Sequence, residues 1–417
     1  MVLKLATPEE LVSDRHPVRT IWRVAESMDL SALEAKIKAR EGTGGRDATS
    51  PVLLVALWLY ATTRGVGSAR ELARLCLESR PYMWLCGGVS VNHHLLSDFR
   101  VDHQDVLDGL FARVIASLVN QKLVKVYRIS QDGLRVRACA GASSFRRGER
   151  LGLLLEQAKA HVAELSALLQ DPERSAGLSA KRKAAQVRAA RERQQRIERA
   201  IATLPALQEK REKLAKKVAA KDRDKKLKEP RASTTDADAK VMKMADGGFR
   251  PALNVQFAVD TESRAIVGVD VVGEGNDHHL SEPMRKQVEQ RTGRKVEEHL
   301  MDGGFLVKEE VEKAALDGVT VYVPPKPPRN TDLRGSEYEP MEGESQTLSD
   351  WRARMGSDQG KEIYKQRAAT SETVNADVRT HRNLNRLLVR GIEKAKCVAL
   401  WAALAYNVMH FGPALIG

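Results

Sequence analysis

Three acidic residues, far apart in the chain, stand in settings where a carboxylate could hold a divalent cation. Asp132 lies in QDGLRVRACAGASSFRR, residues 131–147, followed within fifteen residues by Arg135, Arg137, Arg146 and Arg147. Asp302 lies in HLMDGGF and Glu372 in YKQRAATSETVNADVR. Two or three such acids brought together offer hard oxygen ligands to Mg²⁺ or Mn²⁺. Metal ions held this way bridge the attacking and leaving oxygens of an in-line phosphoryl transfer and acidify the attacking water or 3′-hydroxyl. Arginines beside them would grip the phosphates of the substrate. Asp236, Asp238, Asp246 and Asp277 compete for the same roles, and spacing alone does not choose among them. His278-His279 is a possible ligand pair, against the plainer reading of solvent-facing loop histidines.

Each acid needs an element to aim it. KLVKVYRISQDGLRVRAC, residues 122–139, is rich in Val, Ile and Tyr and reads as a strand. Alternation puts Asp132, Leu134, Val136 and Ala138 on one face and Arg135 and Arg137 on the other. Asp302 follows a short expected strand, Glu298–Met301. It precedes Gly303-Gly304, where the missing side chains let backbone or ligand approach. Glu372 falls in a helical stretch. At 100° per residue Glu372, Asn375, Arg379, Arg382 and Arg386 lie within roughly 80° of each other. Val374, Leu384 and Leu388 lie opposite, toward a core. A surface salt bridge is the competing reading of one glutamate among arginines.

The rest of the 417-residue chain must supply that framework. Its formal charge is +13 and its pI about 9.5, which favours a polyanionic partner. Cys76, Cys86, Cys139 and Cys397 form no C-x-x-C pair or zinc spacing, so reduced thiols in a cytosolic protein are expected. The N-terminus lacks the apolar core of a secretory signal. The most apolar segment, residues 397–411, is interrupted by Asn407 and His410. It is short for a membrane span and reads as a buried helix.

Residues 1–122 carry apolar residues at helical spacing, with Ser68 and Glu71 placed as a capping box. This is a helical domain, either DNA-binding or purely structural. Residues 150–235 are a helical insertion after the first strand, long and charged like a coiled coil, with a break expected near Pro205. From Lys181 to Arg231 it holds 19 basic and 7 acidic residues, a net +12. Such a run is either a solvated face or an arm laid along phosphates. Residues 252–273 read as two strands around DTESR, residues 318–325 as another strand, and residues 326–346 as a loop. From about Leu348 the chain is expected to be helical. The order of strands and helices implies a mixed α/β sheet core.

The two stretches around Asp132 and Asp302, the block STTDADAKVMKMADGGFRPALNVQFAVD, and the stretch around Glu372 together resemble the DDE transposases of bacterial insertion sequences. The resemblance is to the ribonuclease-H-like, IS-four-like kind with a Tyr-Arg-Glu-Lys signature. It implies a ribonuclease-H-like mixed sheet flanked by helices, made of residues 123–149 and 236–417 and split by the insertion. It implies Asp132, Asp302 and Glu372 as catalytic ligands of Mg²⁺ or Mn²⁺, two ions in all. It also implies Tyr364, Arg367 and Arg379 as DNA contacts, with Arg382, Arg386, Arg135 and Arg137 as further phosphate-binding candidates.

The chain departs from the pattern twice. The Arg367-to-Glu372 gap is one residue longer than the plainest form, and Arg379 stands at the lysine position. The implied reaction is metal-dependent cleavage at the element's ends and cut-and-paste strand transfer. The implied partners are double-stranded DNA, at terminal inverted repeats and target, and a second copy of the chain. The implied place is the bacterial cytoplasm, at the nucleoid, with no membrane. Some relatives flip a base onto an aromatic residue; Trp351 is a candidate, against the reading of a core tryptophan. A nuclease without strand transfer, or a non-catalytic DNA-binding descendant, are the alternatives.

Overall fold

The computed structural model describes residues 7–37, 48–171, 177, 179–217, 227–328, 330, 332 and 334–416. These residues form two compact units. The first comprises Met1–Val136, Asn254–Leu388 and Ile392–Gly417, and the second Arg137–Leu253 with Val389–Gly391.

The first unit begins with helices α1 (Pro17–Ser27), α2 (Ser31–Glu34), α3 (Pro51–Thr63), α4 (Ala69–Glu78), α5 (Arg80–Cys86), α6 (His93–Val101) and α7 (Gln104–Asn120). Proline opens α1, α3 and α5, where its missing N–H leaves nothing unpaired. Ser68 caps α4 by accepting from Glu71 N at 3.4 Å, half of the expected capping box, while the Glu71 carboxylate pairs with Arg74.

The strands are β1 (Arg128–Arg137), β2 (Phe145–Arg146), β3 (Ala232–Ser233), β4 (Lys240–Lys243), β5 (Phe249–Asp260), β6 (Ile266–Val272), β7 (Glu298–Met301) and β8 (Thr320–Tyr322). In the first unit β6, β5, β1, β7 and β8 are successive neighbours of one sheet. β5 and β6 are antiparallel, whereas β1–β7 and β7–β8 are parallel, so the sheet is mixed.

The remaining helices are α8 (Gly148–Gln170), α9 (Ala180–Ala202), α10 (Leu204–Lys217), α11 (Ser281–Thr292), α12 (Lys308–Leu316), α13 (Gln346–Gly356), α14 (Asp358–Arg367), α15 (Thr373–His381) and α16 (Ile392–Ile416). α12, α13 and α14 wrap the β7–β8 edge around Leu300, Phe305, Val321, Leu348 and Trp351, with Tyr364 packed alongside. Trp351 is fully buried and donates Nε1–H to the Val323 carbonyl at 3.0 Å, so it is a core residue and not a stacking surface.

α16 packs against α1, α3, α7 and β6. It is longer than the apolar segment suggested, and by length and composition alone it could cross a membrane. Most of that stretch, 61%, is buried inside the protein. Asn407, the polar interruption noted in the sequence, accepts from Ile266 N at 3.0 Å and donates to Ile266 O at 2.8 Å. It thereby satisfies both backbone groups of a residue in β6.

In the second unit α8 and α9 pair as an antiparallel hairpin. Leu151 from the start of α8 meets Ile197 and Ala200 from the end of α9. The helix breaks at Thr203, and Pro205 stands at the second position of α10, which Pro tolerates. Residues 218–226 of the basic run lie outside the described residues. β2 pairs with β3, and β4 pairs with the first residues of β5.

The helical reading from Leu348 onward is corrected between residues 382 and 391. α15 stops at His381, Asn383 adopts a left-handed φ of 56° and Gly391 one of 88°. Leu384 still reaches the core, but Leu388 is half exposed instead of facing it. Arg386 therefore lies beyond the helix whose stripe it was expected to share.

Candidate active site

Strand register brings the two aspartates together. β1 and β7 pair in parallel from Arg128↔Glu298 to Gln131↔Met301, so Asp132 and Asp302 follow at adjacent positions of neighbouring strands. Asp132 accepts from its neighbour Gly133 N at 2.9 Å and from Asn375 Nδ2 at 3.0 Å. Burial pushes its carboxyl up to about 6. The Arg367 guanidinium opposes that rise and the Asp302 charge adds to it. Asp302 caps the turn Gly303–Phe305, accepting from Gly304 N at 2.8 Å.

Glu372 is positioned by a local irregularity. Residues Ala368–Glu372 form a π-helical turn between α14 and α15. Such a turn accommodates one more residue than an α-helical turn. The stretch between Arg367 and Glu372 passes through it, and Arg367 Nη2 pairs with Glu372 Oε1. The sequence AATSET suits the irregularity. Thr370 Oγ1 donates to the Gln366 carbonyl at 2.7 Å, Ser371 Oγ to Arg367 O at 3.2 Å and Thr373 Oγ1 to Ala368 O at 3.3 Å. Ser371 also accepts from Ser130 on β1 at 2.8 Å, with both side chains fully buried, which fixes the turn to the strand carrying Asp132.

Arg367 is the cation at the centre. Burial alone would lower its pKa, but the fields of Tyr364, Asp132, Glu372 and Asp302 outweigh it and raise the value. Its guanidinium lies over the Tyr364 ring at 5.7 Å from the centroid. Burial raises the Tyr364 phenol, with Arg367 pulling the other way.

A buried amide ladder supports the pair of aspartates. Gln131 Nε2 donates to Gln256 Oε1 at 3.0 Å and to Leu280 O at 3.2 Å. Gln256 Nε2 donates to Asp277 Oδ1 at 2.7 Å and to Asn254 Oδ1 at 3.1 Å, and Asn254 Nδ2 donates to Asp277 Oδ1 at 2.8 Å. In the sequence Asp277 is only one of several competing acids. The signal that singles it out is the pair Asn254 and Gln256, two buried amides at strand spacing in an otherwise apolar run.

Gly133 is required by this ladder. A Cβ there would stand 2.5 Å from Gln256 Nε2, 2.6 Å from Asp277 Oδ1 and 2.8 Å from Asn254 Oδ1. Gly133→Ala is expected to lower stability by about 1–3 kcal/mol, the usual cost of overpacking, measured as a reduced urea midpoint at constant m. An unchanged midpoint would show that the ladder gives way freely.

Other expected site residues are placed differently. Arg135 donates Nη2–H to Gly275 O at 3.0 Å, and Arg137 is exposed in the second unit. Arg379 is partly exposed on α15 and Arg386 is exposed. Arg382 turns inward, with Nη1 bonded to Thr63 O at 3.0 Å and Nε 3.2 Å from Asp377. Asp236, Asp238 and Asp246 belong to the second unit, where Asp246 pairs with Arg250 at 2.7 Å. His279 is exposed and contacts Glu310 at 2.8 Å. All four cysteines are free thiols. Among the described residues no three His, Cys, Asp or Glu side chains converge closely enough to form a metal cluster as they stand.

A mixed sheet that sets two aspartates on neighbouring strands, facing a helix with glutamate and arginine, describes an α/β protein equipped for phosphate-ester chemistry. A transposase-domain model matches residues 6–102, and a transposase DDE-domain model matches residues 229–408. The chain belongs to the DDE transposases of insertion sequences, enzymes that cleave DNA and transfer its strands. Asp302 and Glu372 fall inside the second match; Asp132 lies outside both. No curated protein and no solved structure matches the chain.

Proposed function

We propose that this transposase uses Asp132, Asp302 and Glu372 as its acidic triad, on a ribonuclease-H-like core interrupted after β1 by the helical insertion. The observation that carries this is the register of β1 on β7, which aligns Asp132 with Asp302, together with the π turn that aims Glu372 at Arg367 beside them. The donor set suits Mg²⁺ or Mn²⁺, two ions in the full site. All three candidates are carboxylates, and the point a Gly304 Cβ would occupy lies 2.8 Å from Asp302 Oδ1 and 3.4 Å from Asp277 Oδ2. When bound, such ions supply Lewis-acid activation of the attacking oxygen and neutralise charge on the phosphate.

The chain's own groups do the positioning. Asn375 and Gly133 N–H orient the two oxygens of Asp132. Arg367 and Tyr364 stand where a scissile phosphate meets the acids, and Arg379 extends that positive face along α15. The substrate is double-stranded DNA at terminal inverted repeats, cut and then joined to target by the freed 3′-hydroxyl. The protein acts in the cytoplasm, at the nucleoid. Two ends must be held at once, so the working form is a dimer or larger assembly.

The test uses pre-cut oligonucleotides carrying the repeats that flank the gene, a supercoiled target plasmid and Mg²⁺. Joined product is expected from the unaltered chain and none from Asp302→Asn. Nicking without joining would favour a nuclease, and end binding without nicking a non-catalytic descendant.

A further inference from the structure

We infer that Asp277 is a fourth carboxylate of this centre, offering its free oxygen to the divalent cation beside Asp302; this rests on the triad proposed above. Asp277 lies between β6 and α11, in a loop the spacing of the triad does not include, yet the fold brings it to the same two strands. One of its oxygens, Oδ1, lies 2.6 Å from where a Gly133 Cβ would be, next to Asp132. The other, Oδ2, lies 3.4 Å from where a Gly304 Cβ would be, and Asp302 Oδ1 is 2.8 Å from that same point. Two glycines, one next to Asp132 and one two residues past Asp302, thus leave the space that Asp277 faces.

The two oxygens of Asp277 are not equivalent. Oδ1 accepts from both Asn254 and Gln256, at 2.8 and 2.7 Å. Two donors meet on that one oxygen, in a residue only 8% exposed. Oδ2 is the oxygen turned toward Asp302.

The loop is also held still. Gln131, the residue before Asp132, donates to the Leu280 carbonyl at 3.2 Å. Glu310 accepts from Ser281 Oγ at 2.8 Å and contacts His279 Nδ1 at 2.8 Å. A buried carboxylate with one oxygen saturated and the other aimed beside a second carboxylate has the form of a cation ligand supported by its outer hydrogen bonds. A merely structural aspartate would need no second acid beside its remaining oxygen, since like charges disfavour each other.

The test measures Mn²⁺ binding to the full chain without DNA, by titration followed by electron paramagnetic resonance. Asp277→Asn preserves the oxygen that Asn254 and Gln256 bond and replaces only Oδ2. It is expected to weaken Mn²⁺ binding about 10-fold or more, the scale of losing one ligand's contribution, with the metal-free melting temperature nearly unchanged. Asp302→Asn runs in parallel. If Asp302→Asn loses Mn²⁺ and Asp277→Asn binds it like the unaltered chain, Asp277 is structural and the inference falls alone. If neither variant loses Mn²⁺, the triad falls with it. If Asp277→Asn melts early, Asp277→Cys decides: a thiolate ligand shifts preference from Mn²⁺ toward Cd²⁺, and an unchanged Cd²⁺-to-Mn²⁺ ratio overturns the inference.

Discussion

Asp132→Asn is expected to bind transposon ends normally, to lose strand cleavage by about 10³-fold or more, and to be more stable than the unaltered protein when metal is chelated. A 10³-fold loss corresponds to about 4 kcal/mol of transition-state stabilisation, a reasonable share for one carboxylate of a metal centre. The stability gain follows from the titration of Asp132. Its carboxyl is raised from 3.8 to about 6, chiefly by burial. Between those two values the folded protein binds a proton that the unfolded chain does not. Stability of the metal-free protein therefore falls as pH rises through that window and stays lower above it. The penalty at pH 7 is about 3 kcal/mol, and asparagine removes it. Urea unfolding in EDTA checks this: the two proteins should differ little near pH 4 and diverge in favour of Asp132→Asn by pH 7. An equal midpoint at pH 7, or retained cleavage, removes Asp132 from the centre. Under the proposed triad such a residue is kept at a cost in folding for the sake of its charge toward the cation and DNA.

Much of this centre could be read from residue order, and what could not has identifiable causes. The strand Glu298–Met301 was legible because it stops abruptly at Asp302-Gly303-Gly304. The pair β5 and β6 was legible because two Val-rich runs flank the polar turn DTESR. β2, β3 and β4 were not, since two to four residues carry no usable period. The helical wheel put Glu372 and Asn375 on one face, and Asn375 does bond Asp132. The wheel could not show that the Arg367–Glu372 stretch passes through a π turn, because that depends on Ser130 meeting Ser371 across the fold. It also ran past His381. HRNLNR holds no proline or glycine to mark a stop, and the break uses Asn383, a residue type that tolerates left-handed backbone. Arg382 then finds Asp377 and the Thr63 carbonyl, partners no local pattern reveals. Asp277 was one acid among equals in the sequence; only the amides of β5 distinguish it.

Replacing Lys181, Arg182, Arg188, Arg191, Arg193 and Arg199 with glutamine is expected to weaken DNA binding by about 10²-fold or more at 0.15 M salt and to flatten its salt dependence. All six are exposed on α9, while Ala190, Ile197 and Ala200 of the same helix are buried. The charges can therefore be removed without touching the packing against α8, and glutamine is nearly as good a helix former as lysine or arginine. Arg196, partly buried, has its pKa lowered first by desolvation and then by Arg390, so positive charge is already crowded here. Crowded like charges oppose folding, and a polyanion relieves that opposition. Each phosphate neutralised releases counterions and contributes about −0.9 to the slope of log K against log salt. Six contacts would make the slope shallower by up to about 5, and two or three would still be measurable. Binding is measured on cognate ends and on unrelated duplex between 50 and 200 mM KCl. Equal losses on both duplexes fit an arm that grips backbone without reading sequence. An unchanged slope would mean that α9 faces solvent and that phosphates are held elsewhere.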